Sequence, residues 1–368
     1  MGLSADDRRA RILEVVRDLG TIRVVDLASR IGLSAVTVRR DVAALSDSGL
    51  LHRSHGSVSS VAAGQAAASI PGRERTIGML VPTLGSYFDE VIAGARAAAA
   101  QAGARLVLGV AAYESADDRA QTEQLLDSKV DGLLLSPNWR PDTSEDDCWI
   151  RDLPVPTVLV ERRAGIGDAA AELDSVSSDH RHGVLLALRH LASLGHRSVL
   201  LAARDDTWTA QQVRAGYADA VLQLGLAPQP VIGIRRYGVD PDELAGQIYD
   251  AAAEGVRAVL VHNDQDAIQL PPPLRARGLD VPKDIALISY DDVFAALAAP
   301  ALTAVAPPKR AVGEAALNLL LRRLDSGSSA IPVHHLELLP SLKVRASCGG
   351  EERAASPREE SPTGKRQR

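Results

Sequence analysis

From residue 75 to 348 the chain alternates short apolar runs with amphipathic helical stretches, and this alternation leaves few folds open. T-I-G-M-L-V-P, A-R-L-V-L-G-V, D-G-L-L-L-S-P and P-T-V-L-V-E-R come first; R-S-V-L-L-A-A, A-V-L-V-H-N-D and I-A-L-I-S-Y-D-D follow later. Helical patterns separate them, among them Tyr87 to Ala102, Gln121 to Leu126 and V-L-L-A-L-R-H-L-A-S-L-G. Strands that are apolar on both faces need cover on both faces, which parallel sheets wrapped by helices provide. The series is too long for one such sheet. It predicts an α/β body of two Rossmann-like lobes with a cleft between them.

The motifs that would make this body an enzyme are missing. No G-x-G-x-x-G follows the first strand, and there is neither a G-x-x-x-x-G-K-[ST] phosphate loop nor a G-x-S-x-G elbow. His180, His182, His190 and His196 fall on and around one helix without metal-ligand spacing and read as structural. Cys148 and Cys348 are too few for a disulfide framework. No catalytic residue, metal or cofactor is therefore expected. No apolar run approaches the roughly 20 residues of a membrane span, and the first residues lack the apolar stretch of a signal peptide, so the cytoplasm is the expected compartment.

The first 60 residues read differently. They hold nine arginines against seven acidic residues, a balance of +2 in a chain of net charge −6. A mildly basic head on an acidic body suits a nucleic-acid contact confined to the head. Ser4-Ala-Asp-Asp7 reads as a capping box, followed by Ile12, Leu13, Val16 and Leu19 at helical spacing. Leu27, Ala28 and Ile31 share one face of a second short helix, Gly32-Leu33 turns the chain, and Ser34 caps a third. On that third helix Val38, Val42 and Leu45 face the core, while Val36, Thr37, Arg39 and Arg40 project away from it. One arginine there can fork onto a guanine edge and the other hold phosphate, and Val36 can touch a thymine methyl. The bland alternative pairs Arg39 and Arg40 with Asp41 or Asp47. G-L-L-H-R-S-H-G-S-V then reads as a two-stranded wing, with His52, Arg53 and His55 near its tip. Residues 61–74, rich in Ala, Ser, Gly and Pro, read as a flexible linker, and 349–368 as a disordered tail.

The head resembles the DeoR-type winged helix-turn-helix. Ser34, Thr37, Val38, Arg39, Arg40, Asp41, Val42 and Leu45 match its third helix, and Arg53, His55 and Gly56 its wing, where Ser57 replaces a second glycine. The body resembles the LacI/GalR effector-binding core, a periplasmic-binding-protein-like fold of type I. V-D-G-L-L-L (130–135), V-P-T-V-L-V-E-R (155–162), S-D-H-x-H-G (178–183), H-N-D-Q-D-A (262–267), I-S-Y-D-D (288–292) and P-A-L-T-A-V (300–305) carry the likeness in order. By that resemblance the cleft takes a small molecule, often a sugar or nucleobase. The implied cleft residues are Tyr87, Phe88, Glu161, Asp179, Asn263 and Asp291. Asn138 and Trp208, at strand ends, join them because sugars need amides, carboxylates and an aromatic wall. Three departures stand out. Val213 occupies the position of the family's ligand-gripping arginine, with Arg214 one residue on as the candidate. Pro307 replaces a frequent glutamine, and Pro271-Pro272-Pro273 should delay or break a helix.

These readings predict a DNA-binding regulator with head 1–60, linker 61–74, sensor 75–348 and tail 349–368. Repression is the more natural sign. The expected partners are double-stranded operator DNA with an inverted repeat, a carbohydrate-like effector and a second copy of the chain in a homodimer. No membrane partner is expected. The rival class is a sugar- or nucleotide-processing enzyme fused to a DNA-binding head, which turnover of a bound ligand would reveal. A secreted solute-binding protein fits poorly with an intact head.

Overall fold

The computed structural model describes residues 8–9, 11–13, 15–16, 21–31, 33–47, 51–54, 57–60, 74–83, 87–112, 117–138, 148–165, 167–235, 240–326 and 331–349. His55, the Ser4–Asp7 box, linker residues 61–73 and tail residues 350–368 lie outside them. The chain forms two compact units, Met1–Arg73 and Glu74–Arg368.

In the first unit, helical residues between 8 and 16 precede β1 (Thr21–Arg23), α1 (Val24–Ile31) and α2 (Ala35–Asp47). Strands β2 (Leu51–Ser54) and β3 (Ser57–Ser60) form the antiparallel wing, paired from Leu51↔Ser60 to Ser54↔Ser57. The sequence reading did not foresee β1, which adds a third strand on β3. Ile12, Val16, Leu27, Val38, Val42, Leu45, Leu51 and Val58 make one buried cluster. Each large aliphatic side chain buried this way contributes about 1.5–3 kcal/mol.

The second unit holds two six-stranded sheets. In the first, β14-β8-β7-β6-β4-β5, every pairing is parallel. Its strands are β4 (Thr76–Val81), β5 (Arg105–Val110), β6 (Gly132–Leu135), β7 (Thr157–Val160), β8 (Asp174–Ser178) and β14 (His335–Leu338). The second runs β10-β9-β11-β12-β13-β15 and is parallel except for β15 on β13. It contains β9 (Leu200–Ala203), β10 (Ile232–Gly233), β11 (Ala258–His262), β12 (Ala286–Tyr290), β13 (Thr303–Ala306) and β15 (Ser341–Lys343). Strands β4, β6, β7, β9, β11 and β12 are buried along their whole length, as their apolar runs require, and β8, though its residues are Asp-Ser-Val-Ser-Ser, is buried as well.

Around the first sheet lie α3 (Tyr87–Gln101), α4 (Asp118–Asp127) and α5 (Cys148–Arg151). The second sheet has α6 (His180–Ser193), α7 (Trp208–Leu224), α8 (Pro241–Ala253), α9 (Asp264–Ala267) and α10 (Pro271–Ala276). The three prolines do what their chemistry demands. The helix after β11 stops at Ala267, and the next begins with Pro271 in its first turn, where a missing N–H costs nothing.

The chain passes between the lobes three times: from β8 into α6, from β13 into α11 (Lys309–Ser326), and from β14 into β15. Although α11 follows a strand of the second sheet, it packs into the first lobe through Val312, Ala316, Leu317 and Leu320. It crosses α3 at two glycines. A Cβ on Gly94 would sit 1.9 Å from the Arg310 carbonyl, and one on Gly313 1.9 Å from the Val91 carbonyl. Only backbone against backbone fits there.

Candidate functional site

Two surfaces carry chemistry, one in each unit. On α2, Ser34 Oγ accepts the Thr37 N–H at 3.2 Å and lies 2.8 Å from the Thr37 hydroxyl, so both side chains serve the cap that starts the helix. Val38 and Val42 are buried, and Val36 on the other face is 75% exposed. Arg39 and Arg40 are exposed beside it. Asp41, one of the two partners in the bland alternative, is 3% exposed and faces the other way, held by Arg8 at 3.0 Å and Arg9 at 3.7 Å, while the side chain of Asp47 lies outside those described. Among the described residues Arg39 and Arg40 make no ion pair. An apolar methyl pair and two forked cations therefore share one open face beside a helix N-terminus, an arrangement suited to a groove edged with phosphate. His52 and Arg53 lie on β2.

In the second unit a cavity of about 270 Å³ opens between the two sheets at the carboxyl ends of their strands. This is where open parallel sheets place ligands, because loops diverge there at the reversal of strand order. The first lobe supplies Thr83, Tyr87, Phe88, Glu161 and Arg162. The second supplies Arg204, Thr207, Thr209, His262, Asn263, Asp264, Gln265, Asp291, Val293 and Phe294. The whole chain has two phenylalanines, Phe88 and Phe294, and both are here, one from each lobe.

Glu161 is buried and fully engaged. Its Oε1 accepts from the Tyr87 hydroxyl at 2.7 Å and the Ser178 hydroxyl at 2.9 Å, and its Oε2 accepts the Ser178 N–H at 3.0 Å. Burial alone would raise this carboxyl's pKa; His180, whose Nε2 is 3.6 Å from Oε2, outweighs it together with those hydrogen bonds, so the pKa lies below the ordinary value. Burial and the same carboxylate push the Tyr87 phenol well above its usual pKa.

The opposite wall is less satisfied. Asp264 Oδ2 accepts the N–H groups of Val293 at 2.5 Å and Phe294 at 3.0 Å, but its Oδ1 is buried with no partner. Asp291 Oδ1 and His262 Nδ1 are likewise buried without one. Burial, then the nearby Asp264 charge, raises Asp291 to about 7. Burial, reinforced by His180, Arg204 and Arg214, lowers His262 to about 3, which leaves it neutral at pH 7. The two arginines of the wall are committed elsewhere. Arg204 grips Asp206 with two bonds of 2.8 Å, and Arg162 donates to the carbonyls of Pro137 and Glu161. Glu161, Asp291 and Asp292 have φ of +53°, +89° and +52°, a conformation that non-glycine residues adopt at a cost.

Of the nine residues expected in the cleft, Tyr87, Phe88, Glu161, Asn263 and Asp291 line the cavity. Four do not, and each has another task. Asn138 donates its amide to the Ala111 carbonyl at 2.7 Å and to Asp118 at 3.0 Å, tying the end of β6 to the loop after β5. Asp179 caps α6 by accepting the His182 N–H at 2.8 Å. Trp208 donates its indole N–H to the Arg163 carbonyl at 3.1 Å, while its neighbours Thr207 and Thr209 reach the cavity instead. Arg214 spends its guanidinium on the carbonyls of Ala203 and Arg204, both at 2.5 Å, and so holds the end of β9. The residues missed, such as Arg162, Asp264, Gln265 and Phe294, sit beside or within three positions of ones that were found. A diverging strand-end loop presents consecutive residues, and that signal was available.

A DeoR-like helix-turn-helix domain matches residues 8–63, and a periplasmic binding protein-like domain matches residues 188–348. The HTH-type transcriptional repressor PurR of Vibrio campbellii (strain ATCC BAA-1116) is 28% identical over 277 residues, 74% of this chain and 80% of its own. The arabinose metabolism transcriptional repressor of Geobacillus stearothermophilus is 25% identical over 333 residues, 88% of this chain and 89% of its own. Among solved structures, a LacI-family regulator from Sanguibacter keddieii DSM 10542 is 29% identical with a TM-score of 0.60, covering 76% of this chain and all of that one. No described helix is long and apolar enough to cross a membrane. The chain is a transcriptional repressor with a DeoR-like helix-turn-helix head and a LacI-type, periplasmic-binding-protein-like body.

Proposed function

We propose that the effector is a single-ring polyhydroxylated molecule of the monosaccharide class, bound in the cavity between the lobes without being chemically changed. The observation that carries this is the unsatisfied wall: Asp264, Asp291 and His262 each keep a buried polar atom without a partner. A buried acceptor left unpaired costs about 1–3 kcal/mol, which hydroxyl donors of a ligand recover as the side chains adjust to it. Phe88 and Phe294 offer apolar surface to a sugar ring's C–H face. A cavity of about 270 Å³ suits one ring better than two. The Geobacillus relative, whose name refers to arabinose, makes pentoses the natural first probes.

In the same reading, residues 1–60 form the operator-reading head, 61–74 the linker and 75–348 the sensor, and the protein acts in the cytoplasm. A homodimer presents two α2 helices to the half-sites of an inverted repeat, with Val36, Arg39 and Arg40 at the base edges and phosphates and Ser34, Thr37, His52, Arg53 and His55 nearby. Effector occupancy changes operator affinity because the ligand binds two lobe arrangements unequally.

The test is fluorescence anisotropy on DNA flanking the protein's own gene, with D-arabinose, D-ribose, D-xylose and D-glucose added in turn and recovered for analysis. Expected is salt-sensitive specific binding that one sugar shifts at least fivefold, with that sugar recovered intact. Turnover of the sugar to a product, many molecules per protein, would move the body to the enzyme class.

A further inference from the structure

Beneath the cavity, and outside its lining, two basic side chains join the lobes. Each begins an element that has just crossed from one lobe to the other. His180 is the first residue of α6, directly after the β8 crossover, and Lys309 is the first of α11, after the β13 crossover. Both are buried, at 2% and 9% exposure.

Each touches both lobes. His180 Nε2 is 3.6 Å from Glu161 of the first lobe, and its Nδ1 is 3.2 Å from the Tyr290 hydroxyl of the second. The same hydroxyl donates to the His180 carbonyl at 3.2 Å. One turn further along α6, a Cβ on Gly183 would meet that hydroxyl at 2.5 Å, so the glycine is what lets Tyr290 reach the start of the helix. The ammonium of Lys309 donates to the Asp291 carbonyl in the second lobe and sits 5.4 Å from the centre of the Tyr87 ring in the first. Tyr87 in turn donates to Glu161. The result is two parallel links, Glu161–His180–Tyr290 and Tyr87–Lys309–Asp291, which begin and end on residues of the cavity wall or their immediate neighbours.

We propose that His180 and Lys309 are positioning residues that fix the angle between the lobes and pass changes at Glu161, Tyr87 and Asp291 to that angle. Three features make the pair suited to this. Neither contact is a close carboxylate salt bridge, since His180 stands off Glu161 and Lys309 bonds a carbonyl; both can yield to a ligand that moves their partners. The His180 Nε2 has no hydrogen-bond partner in the arrangement seen, so a small rotation of the lobes gains a bond rather than losing one. The helix behind Lys309 is locked to α3 by the glycine crossing, so a displacement at its first residue moves the lobe and not the helix alone. The consequence for operator release rests on the regulator reading; the geometric claim does not.

The experiment measures the interlobe distance directly in the full-length, ligand-free protein. Nitroxides carried on unnatural amino acids at Gln124 in α4 and Glu254 after α8, both exposed, leave the native cysteines in place. Pulsed electron resonance on the wild type is expected to give one narrow distance distribution. His180→Asn and Lys309→Met are each expected to widen it at least twofold or shift its mean, and Lys309→Arg to restore it. Tyr290→Phe, which deletes one oxygen, serves if His180→Asn does not fold and is expected to widen the distribution as well. Arg181→Ala, on the exposed neighbour, should leave it unchanged. Distributions identical to wild type in the foldable variants overturn the proposal, and so does widening by Arg181→Ala of the same size. Failure to find a sugar effector would touch the functional reading and leave this result standing.

Discussion

The head and the sensor solve opposite recognition problems. On α2 the groups that matter stand in solvent: Arg39 and Arg40 are exposed and Val36 is 75% exposed, while Asp41 beside them is turned inward and paired. In the sensor the groups that matter are buried and mostly bonded to one another, and in the cavity wall single atoms of Asp264, Asp291 and His262 are left over. A surface of open cations meets a large polyanion at long range and gives affinity that falls with salt. A cavity of buried acceptors reads a small ligand by the bonds it completes, and builds that selectivity into the stability of its own fold. Residues of the head should therefore affect binding and barely touch stability, whereas residues of the sensor should affect both.

The largest effect is expected at Asp264. It anchors the backbone of Val293 and Phe294 with two charge-assisted hydrogen bonds. Asp264→Ala leaves both N–H groups inside the protein without an acceptor and is expected to cost about 3 kcal/mol of stability in urea titrations. A cost under about 1 kcal/mol would show that this wall is looser than its geometry. Next in size, Arg40→Ala should weaken operator binding by about 1–3 kcal/mol and flatten its salt dependence, while the urea midpoint stays within error of wild type. A fall in the midpoint as large as the loss of binding would erase the contrast between the two units.

Two titrating groups of the cavity sharpen the comparison further, because their signs oppose. Asp291 is raised to about 7, above an unfolded value of about 4, so its contribution to stability is full below about pH 4 and is lost as pH rises through 7. His262 is lowered to about 3 from about 6.5, so its contribution is full above about pH 6.5 and is lost as pH falls through 3. Across about pH 4 to 6.5 the two slopes, each at most about 1.4 kcal/mol per pH unit, run against each other. Relative to wild type, Asp291→Asn should make stability climb with pH in that window, and His262→Gln should make it fall. Parallel pH profiles for all three proteins would remove both groups from the buried environment described here.

The same contrast explains what the sequence could disclose. The face of α2 was legible because a helix of known pitch needs only local spacing: Val38, Val42 and Leu45 inward, Val36 and Arg40 outward. Apolar runs likewise revealed β4, β6, β7, β9, β11 and β12, whereas β8, buried with the sequence Asp-Ser-Val-Ser-Ser, carries no such run. The cavity was half legible. Glu161, Asn263 and Asp291 follow strand ends, where parallel sheets place ligands, but so do Asn138 and Asp179. Nothing local tells an amide that ties two loops, or a carboxylate that caps a helix, from one that faces a ligand. His180 shows the limit most clearly. Its neighbours Glu161 and Tyr290 are 19 and 110 positions away, and only the crossover of β8 into α6 makes a histidine in an ordinary helical run a link between lobes.

The smallest effect is expected at Val36, and it divides the two kinds of residue most finely. Alanine is the better helix former by about half a kcal/mol, because valine's branched side chain loses rotamer freedom against the preceding turn. An exposed valine gives nothing back through packing, so Val36→Ala should raise the head's stability by a few tenths of a kcal/mol. If the side chain touches a thymine methyl, the same change removes that contact and should cost about 1 kcal/mol of discrimination at one base pair, with no change in salt dependence. Stability and specificity then move in opposite directions at a single residue, which no buried position of the sensor can do. A parallel loss of both would place Val36 against protein rather than DNA.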